Sequence, residues 1–451
     1  MNTRAIILAA GKGTRMKSET PKVLHKVCGK PMLGHVVDNL KASGVEDIYA
    51  VLGHKADMVQ AHFGDAFKTT IQKEQLGTGH AVMQFESQLE GADGQTVVIC
   101  GDTPLISDET IRGFIDHHNS SGAKATVLTA TTDNPHGYGR IIRNESGTVE
   151  RIVEEKDATD EERKVTEINT GTFVFDNKSL FNALKAVTND NAQGEYYLPD
   201  VLKILRDENE TVAAFTCEDF SETIGINDRV ALAVAEETLR QTINLGHMKN
   251  GVTLIDPKNT YIDKDVTIGN DTIIQPNVTI SGQTTIGSNV SISSSSEIVD
   301  SNIGNNVTIR QSVIHGSVVG DGSNIGPFSQ LRPESNLGKN IKIGNFVEVK
   351  KSTLEDDVKV SHLSYIGDAS IGENTNVGCG SITVNYDGKD KHLTKIGRDS
   401  FIGCNSNLVA PVTIGDNSFI AAGSTITEDV PDDSLAIGRA RQTNKEDYYK
   451  N

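Results

Sequence analysis

The residues best equipped for chemistry lie in two widely separated stretches. Near the start, Ala10-Gly11-Lys12-Gly13-Thr14-Arg15-Met16 follows a short apolar run, and Lys22 comes just after Pro21. Two glycines let backbone N–H groups approach an anion, and Lys12, Arg15 and Lys22 add positive charge, so the stretch suits a phosphate. A plain glycine turn is the other reading, since neither the third glycine of a dinucleotide fingerprint nor a Gly-Lys-Ser/Thr is present. Asp102 ends another apolar run, where a carboxylate is either a turn former or a hard ligand for a divalent cation. Asn227 or Asp228 can N-cap the amphipathic stretch that follows. Far downstream, Ser361-His362-Leu363-Ser364-Tyr365 places an imidazole and a phenol where neighbouring repeats carry Asn, Thr or Ser, with Arg332, Lys350, Lys351 and Lys359 in the same part of the chain. An imidazole near neutrality suits proton transfer, although a bland histidine on a charged outer face fits the same pattern.

Two kinds of scaffold must position these groups. Up to about residue 228, the apolar runs at 5–9, 48–52, 97–100, 125–128 and 172–175 alternate with amphipathic stretches, which predicts an α/β domain with a largely parallel sheet. Ligands then belong at the carboxyl ends of the strands, where Gly11 and Asp102 stand. From 229 to 250, Leu232, Ala235, Leu239 and Ile243 share one helical face, which reads as a linker helix or as a long core helix of the first domain. Beyond it, Ile262, Ile268, Ile274, Ile280, Ile286, Ile292 and Ile298 recur every sixth residue, and the ladder resumes through Ile325 and Ile343 to Ile396 and Ile426. A helix cannot use that spacing, because successive aliphatics would sit about 240° apart. One short strand and one turn per unit can use it, so residues 251–451 are expected to stack as a β-helix. The segment from Asn385 to His392 leaves the phase and must loop out.

Composition narrows the classes. With 43 Lys and Arg against 61 Asp and Glu, the formal charge of -18 opposes a nucleic-acid partner. The five cysteines are scattered and lack any CxxC spacing, so a reducing cytoplasm is expected, with neither a disulfide framework nor a zinc site. No apolar run approaches membrane length, and the opening run is too short for a signal sequence.

The string LAAGKGTRM, followed by PKVLHKVCGKPML, resembles the sugar-phosphate nucleotidyltransferases. The likeness continues through QLGTGHA, GDTPL, GYGR, VEEKD, EINTG and GIN, in the family's order, across the first domain. It implies attack by a sugar 1-phosphate on UTP with release of pyrophosphate. By that resemblance Asp102 and Asn227 hold Mg²⁺, Arg15 steadies the pyrophosphate and Lys22 the phosphates. Leu8, Ala9, Gly11, Gln72, Gly77 and Thr78 are the expected nucleotide contacts, and Gly139, Glu154 and Asn169 the sugar contacts. Cys100 stands where the family often carries an aromatic residue, which puts a side-chain contact there in question.

The stretch SHLSYIGDASIGENTNVGCGSITVNYDGKDKH resembles the acetyl-CoA-dependent hexapeptide acyltransferases. That resemblance implies a left-handed parallel β-helix and a homotrimer. His362 matches the general base; Arg332, Lys350, Tyr365, Asn376 and Lys391 match positions around the sugar phosphate. Asn385, Tyr386, Cys379, Cys404, Ala422 and Arg439 match the acetyl-CoA tunnel, with both cysteines read as small buried fillers. Taken together, the two resemblances imply acetylation of glucosamine 1-phosphate followed by coupling of N-acetylglucosamine 1-phosphate to UTP, for cell-wall precursors. Two other classes stay open: a non-catalytic prism behind a working uridylyltransferase, and a chain that only binds or assembles.

Overall fold

Alternation of buried aliphatics on both faces makes the strand Thr3–Ala9 the middle of a sheet: Ile6 and Ile7 are both fully buried, each in a different core cluster. The computed structural model describes residues 2–145 and 147–449 and divides into two compact units between Leu239 and Arg240. In the first unit, Thr3–Ala9 pairs in parallel with Asp47–Leu52 on one side and Gln95–Cys100 on the other. The sheet runs Val212–Thr216, Ala125–Thr131, Glu167–Asp176, Gln95–Cys100, Thr3–Ala9, Asp47–Leu52, Lys68–Ile71. Only Glu167–Asp176 opposes its neighbours on that path, and the hairpin of Gly139–Arg143 and Val149–Val153 attaches to it. Helices Met32–Ala42 and Asp108–Ser121 cover one face; Thr78–Met83, Asn177–Leu184 and Asp200–Asp207 cover the other. The chain first leaves Thr3–Ala9 towards one flank and later returns to the other, so a crevice opens at the carboxyl ends of Thr3–Ala9 and Gln95–Cys100.

All five expected strands are present, extended at their ends. The edge strand Lys68–Ile71 is new, because Lys-Thr-Thr-Ile offers no apolar run to read. Asp228 caps the helix Arg229–Lys249, its Oδ1 accepting from Val230 N at 3.0 Å and Ala231 N at 2.9 Å, which leaves Asn227 free for other work. Its two halves contact different units. Within the first unit, Glu236 Oε2 accepts from Cys28 N at 2.7 Å; within the second, Asn244 Nδ2 donates to Pro257 O and Thr260 O at 2.8 and 3.0 Å.

The second unit is a parallel β-helix of three sheets, each strand pairing with the one three strands further on until the last coil, where Phe419–Ile420 pairs with Leu435–Ala436 two strands on. The aliphatic ladder is its core: Ile274, Ile292, Ile309, Ile325 and Ile343 lie in register and are fully buried, whereas Ile268 in the first coil is only partly covered. Many corners fall on Asn or Asp with positive φ, such as Asn277 and Asn340, whose short polar side chains tolerate that conformation, but Phe328, Phe346 and Leu363 adopt it as well. Residues 385–392 do loop out, between Ile382–Val384 and Thr394–Ile396. Asp387 braces the excursion: its Oδ1 accepts from Lys389 N and Asp390 N at 2.8 and 2.7 Å, and its Oδ2 lies 2.7 Å from His392 Nε2.

Candidate active sites

In the crevice of the first unit, two cavities share Leu8, Thr78 and Cys100. One, of about 270 Å³, is lined by Leu8, Ala9, Gly11, Lys22, Gln72, Gly77 and Asp102, among others. Gln72 is buried, and its Nε2 donates to Gly77 O at 3.1 Å and lies 3.1 Å from His80 Nδ1, so its amide is held by two partners. Gly77 has φ +110, and a Cβ there would meet Tyr196 O at 2.5 Å; only glycine lets the chain pass so close.

Lys22 Nζ is in ion-pair contact with Asp102 and also reaches Asn227 Oδ1 at 3.1 Å. Residues from strand end, turn and helix junction, far apart in sequence, thus converge on one ammonium. Gly13, at φ +60, permits this: a Cβ there would stand 2.7 Å from Lys22 Cβ. Arg15 lies in the short turn Thr14–Met16; both it and Lys12 are exposed and line neither cavity. Among the described residues no group of three His, Cys, Asp or Glu could hold a metal. Asp102 and Asn227 nevertheless offer two hard oxygens within reach of one point, a fit for a cation that keeps several waters.

The adjoining cavity, of about 210 Å³, is lined by Gly139, Glu154 and Asn169 together with Tyr138 and Gly171. A register shift between Asn169 and Phe173 bends the strand here, and Asn169 Oδ1 accepts from Gly171 N at 2.9 Å. Burial, and then the carboxylates of Asp157, Asp200 and Glu195, push the Glu154 carboxyl up. Its neighbour Glu155 instead pairs with the buried Arg140 at 2.8 Å. Cys100 is no nucleophile, because burial and the charge of Asp102 push its thiol up to about 12.

In the β-helix, His362 Nδ1 lies 2.8 Å from Asn345 Oδ1, its register partner one coil earlier. An amide oxygen can only accept, so Nδ1 donates to it, and in the neutral ring Nε2 is the nitrogen with the lone pair. Asn345 was not singled out from sequence; the coil repeat, 17 residues here, was the available signal. The pairings Asn376↔Lys359, Phe401↔Asn376 and Phe419↔Phe401, continued three residues on, place Cys379, Cys404 and Ala422 in the same corner row as Asn345 and His362. Arg439 Cδ comes near the next corner glycine, Gly423. Cys404 corrects one expectation: it is exposed, since this corner position points outward, while Cys379 is half-buried.

Around that corner, Arg332, Lys350 and Tyr365 stand on successive coils of one sheet. Arg332 Nη1 donates to Glu348 Oε1 at 2.8 Å, and Glu348 pairs in register with Tyr365; Glu348 is a second residue that sequence reading passed over. The Lys350 ammonium holds Lys391 below the ordinary lysine range, so two cations crowd one point. Asn385 Nδ2 ties the excursion to Asp368 Oδ2 at 2.5 Å and lies 3.4 Å from Tyr365 Oη. Tyr386 is exposed on that excursion, and Asn376 lies on the sheet that carries His362.

Residues 4–228 match the family model for nucleotidyl transferases, and residues 258–299 and 393–428 that for the bacterial transferase hexapeptide, six repeats. The bifunctional protein GlmU of Halalkalibacterium halodurans is 59% identical over 447 residues, covering 99% of this chain and 98% of the relative. That of Staphylococcus epidermidis is 58% identical over 450 residues, covering 100% of both, and that of Listeria monocytogenes serotype 4a is 56% identical over 446 residues, covering 99% and 98%. With a nucleotidyl-transferase crevice, a hexapeptide β-helix and full-length likeness of this order, the chain belongs to the bifunctional GlmU family.

Proposed function

We propose that the chain makes UDP-N-acetylglucosamine in two steps, one on each unit. Residues 251–451 transfer acetyl from acetyl-CoA to glucosamine 1-phosphate, and residues 1–228 couple the product to UTP, with 229–250 as the linker between them. The observation that carries the second step is the pair of adjoining cavities, one with Gln72, Gly77 and Lys22, the other with Gly139, Glu154 and Asn169. Joining a nucleotide to a sugar requires that contiguity.

In the first unit, a phosphate oxygen of N-acetylglucosamine 1-phosphate attacks the α-phosphorus of UTP in line, and pyrophosphate leaves. Gln72 and the Gly77-Thr78 backbone orient the uracil edge, Lys22 and Arg15 balance phosphate charge, and Glu154 and Asn169 hold sugar hydroxyls and the N-acetyl group. Asp102 and Asn227 are the residues that would hold Mg²⁺, which when bound neutralises charge on the transferred phosphoryl. In the second unit, the glucosamine ammonium must lose a proton before its nitrogen can attack the thioester carbonyl. His362 Nε2 takes that proton, the N–C bond forms, the C–S bond breaks, and coenzyme A departs as the thiol with a second proton that the nitrogen gives up in becoming an amide. The paired cations Lys350 and Lys391, with Arg332, suit the dianionic sugar phosphate.

The His362–Asn345 pair favours this reading over a scaffold prism, which has no use for a fixed tautomer. We further propose a homotrimer, supported by the exposed corner row Phe328, Phe346 and Leu363 beside His362, and a cytoplasmic setting, supported by five cysteines that form no disulfide. The test is a product assay with glucosamine 1-phosphate, acetyl-CoA, UTP and Mg²⁺, each omitted in turn. UDP-N-acetylglucosamine forms only in the full mixture, and Asp102→Ala releases no pyrophosphate; release at the parent rate from that variant sinks the first-unit assignment.

A further inference from the structure

One guanidinium outside both cavities touches the two turns that carry Arg15 and Lys22. Arg229 Nε donates to Met16 O at 3.2 Å, the last carbonyl of the turn Thr14–Met16 bearing Arg15. Arg229 Nη1 lies 3.4 Å from Nδ1 of His25, which ends the turn Lys22–Leu24 and whose own N–H donates to Lys22 O at 3.2 Å. Both anchors are well seated, because the Met16 side chain and the His25 ring are buried. Arg229 stands two residues after Asn227, and Asp228 between them is locked as the helix cap. A cation in the first turn of a helix is opposed by the helix dipole, and no acidic residue occupies this first turn, so local helix preference does not explain an arginine here. Burial, then the nearby Arg229 charge, hold His25 below the ordinary histidine range, against a backbone hydrogen bond to Thr20 that raises it.

We propose that Arg229 is a positioning residue for uridylyl transfer, tying the Arg15 turn and the Lys22 turn to the junction that carries Asn227. The inference rests on the first-unit reading given above. Arg229 lines neither cavity, so it acts on reacting groups only through the two turns. Losing the tie lets Arg15 and Lys22 drift from the phosphates while leaving Gly139, Glu154 and Asn169 in place. Sugar affinity and turnover should therefore separate.

The test compares the full-length parent with R229Q and R229K by steady-state pyrophosphate release, and uses acetyl transfer by the same chains as an internal control. In R229Q, kcat is expected to fall about 10- to 100-fold, with KM for N-acetylglucosamine 1-phosphate within about twofold. Acetyl transfer and the thermal midpoint stay at parent values, and hydrogen exchange rises across residues 14–24. R229K keeps the charge but cannot fork to two acceptors, so it stays at least about fivefold below the parent. Parent-like kcat in R229Q overturns the proposal, as does full recovery in R229K. A kcat loss matched by a lower thermal midpoint and slower acetyl transfer makes Arg229 a fold staple and equally overturns it. Absence of pyrophosphate release from the parent overturns the first-unit reading together with this one, whereas parity of R229Q overturns this one alone.

Discussion

At the scale of single residues, the two sites depend on small geometric permissions. Asn345 fixes which imidazole nitrogen of His362 is free, so Asn345→Ala should lower acetyl transfer about 10-fold and His362→Ala about 10²- to 10⁴-fold, both without change in pyrophosphate release. Steady-state rates of the two half-reactions decide it. An equal loss in both reactions for Asn345→Ala would point to misfolding instead. Gly13 permits the approach of Lys22, and Gly13→Ala meets both a left-handed backbone, costing about 1–2 kcal/mol, and a Cβ at 2.7 Å from Lys22. Pyrophosphate release should then fall about 10-fold or more, with acetyl transfer intact.

At the scale of elements, the helix Asp108–Ser121 presses a histidine into the first-unit core. His118 is buried with Nδ1 2.8 Å from Thr126 Oγ1, and burial pushes it down to about 4 from an ordinary 6.5, with Asp176 opposing and His117 and Lys124 adding to the shift. Its folded value is the depressed one, so its contribution is fully present above about 6.5 and is lost as pH falls towards 4. The loss is about 3 kcal/mol at most. Hydrogen exchange of the amides in 108–121 and 125–131, corrected for intrinsic rates, should therefore show protection falling between about pH 7 and about pH 4.5. His118→Asn should flatten that slope; an unchanged slope would assign the pH dependence to other groups.

At the scale of the whole molecule, the β-helix carries an apolar corner row that its own chain leaves open. Phe328 and Phe346 stack with ring centroids 5.7 Å apart, and with Leu363 they are more than half exposed, directly beside Asn345 and His362. If copies of this chain assemble there, Phe346→Glu should shift sedimentation from trimer to monomer and abolish acetyl transfer, with pyrophosphate release kept within about twofold. A monomeric Phe346→Glu chain with parent-like acetyl transfer would refute a shared acetyl-transfer site.

Much of this was legible in one dimension because periodicity and strand hydrophobicity are local. The six-residue ladder specified stacked coils, since no other element buries every sixth aliphatic, and the apolar runs ending at Ala9 and Cys100 located the crevice. Gln72, Glu154 and Asn169 were found through motif resemblance, and they do line the two cavities. What stayed hidden were pairings across turns and coils. The Lys22 contacts with Asp102 and Asn227, the Asn345 partner of His362, the Glu348 partner of Arg332 and the Arg229 tie join residues between 16 and 213 positions apart. The exposed Cys404 corner belongs with them, because coil phase after the 385–392 excursion cannot be counted along the chain. The sequence alone determined which elements form and which chemical groups they carry, for those follow from local periodicity and residue type. Only the tertiary structure decided which groups meet, because strand order, corner register and helix capping set distances that no local pattern encodes.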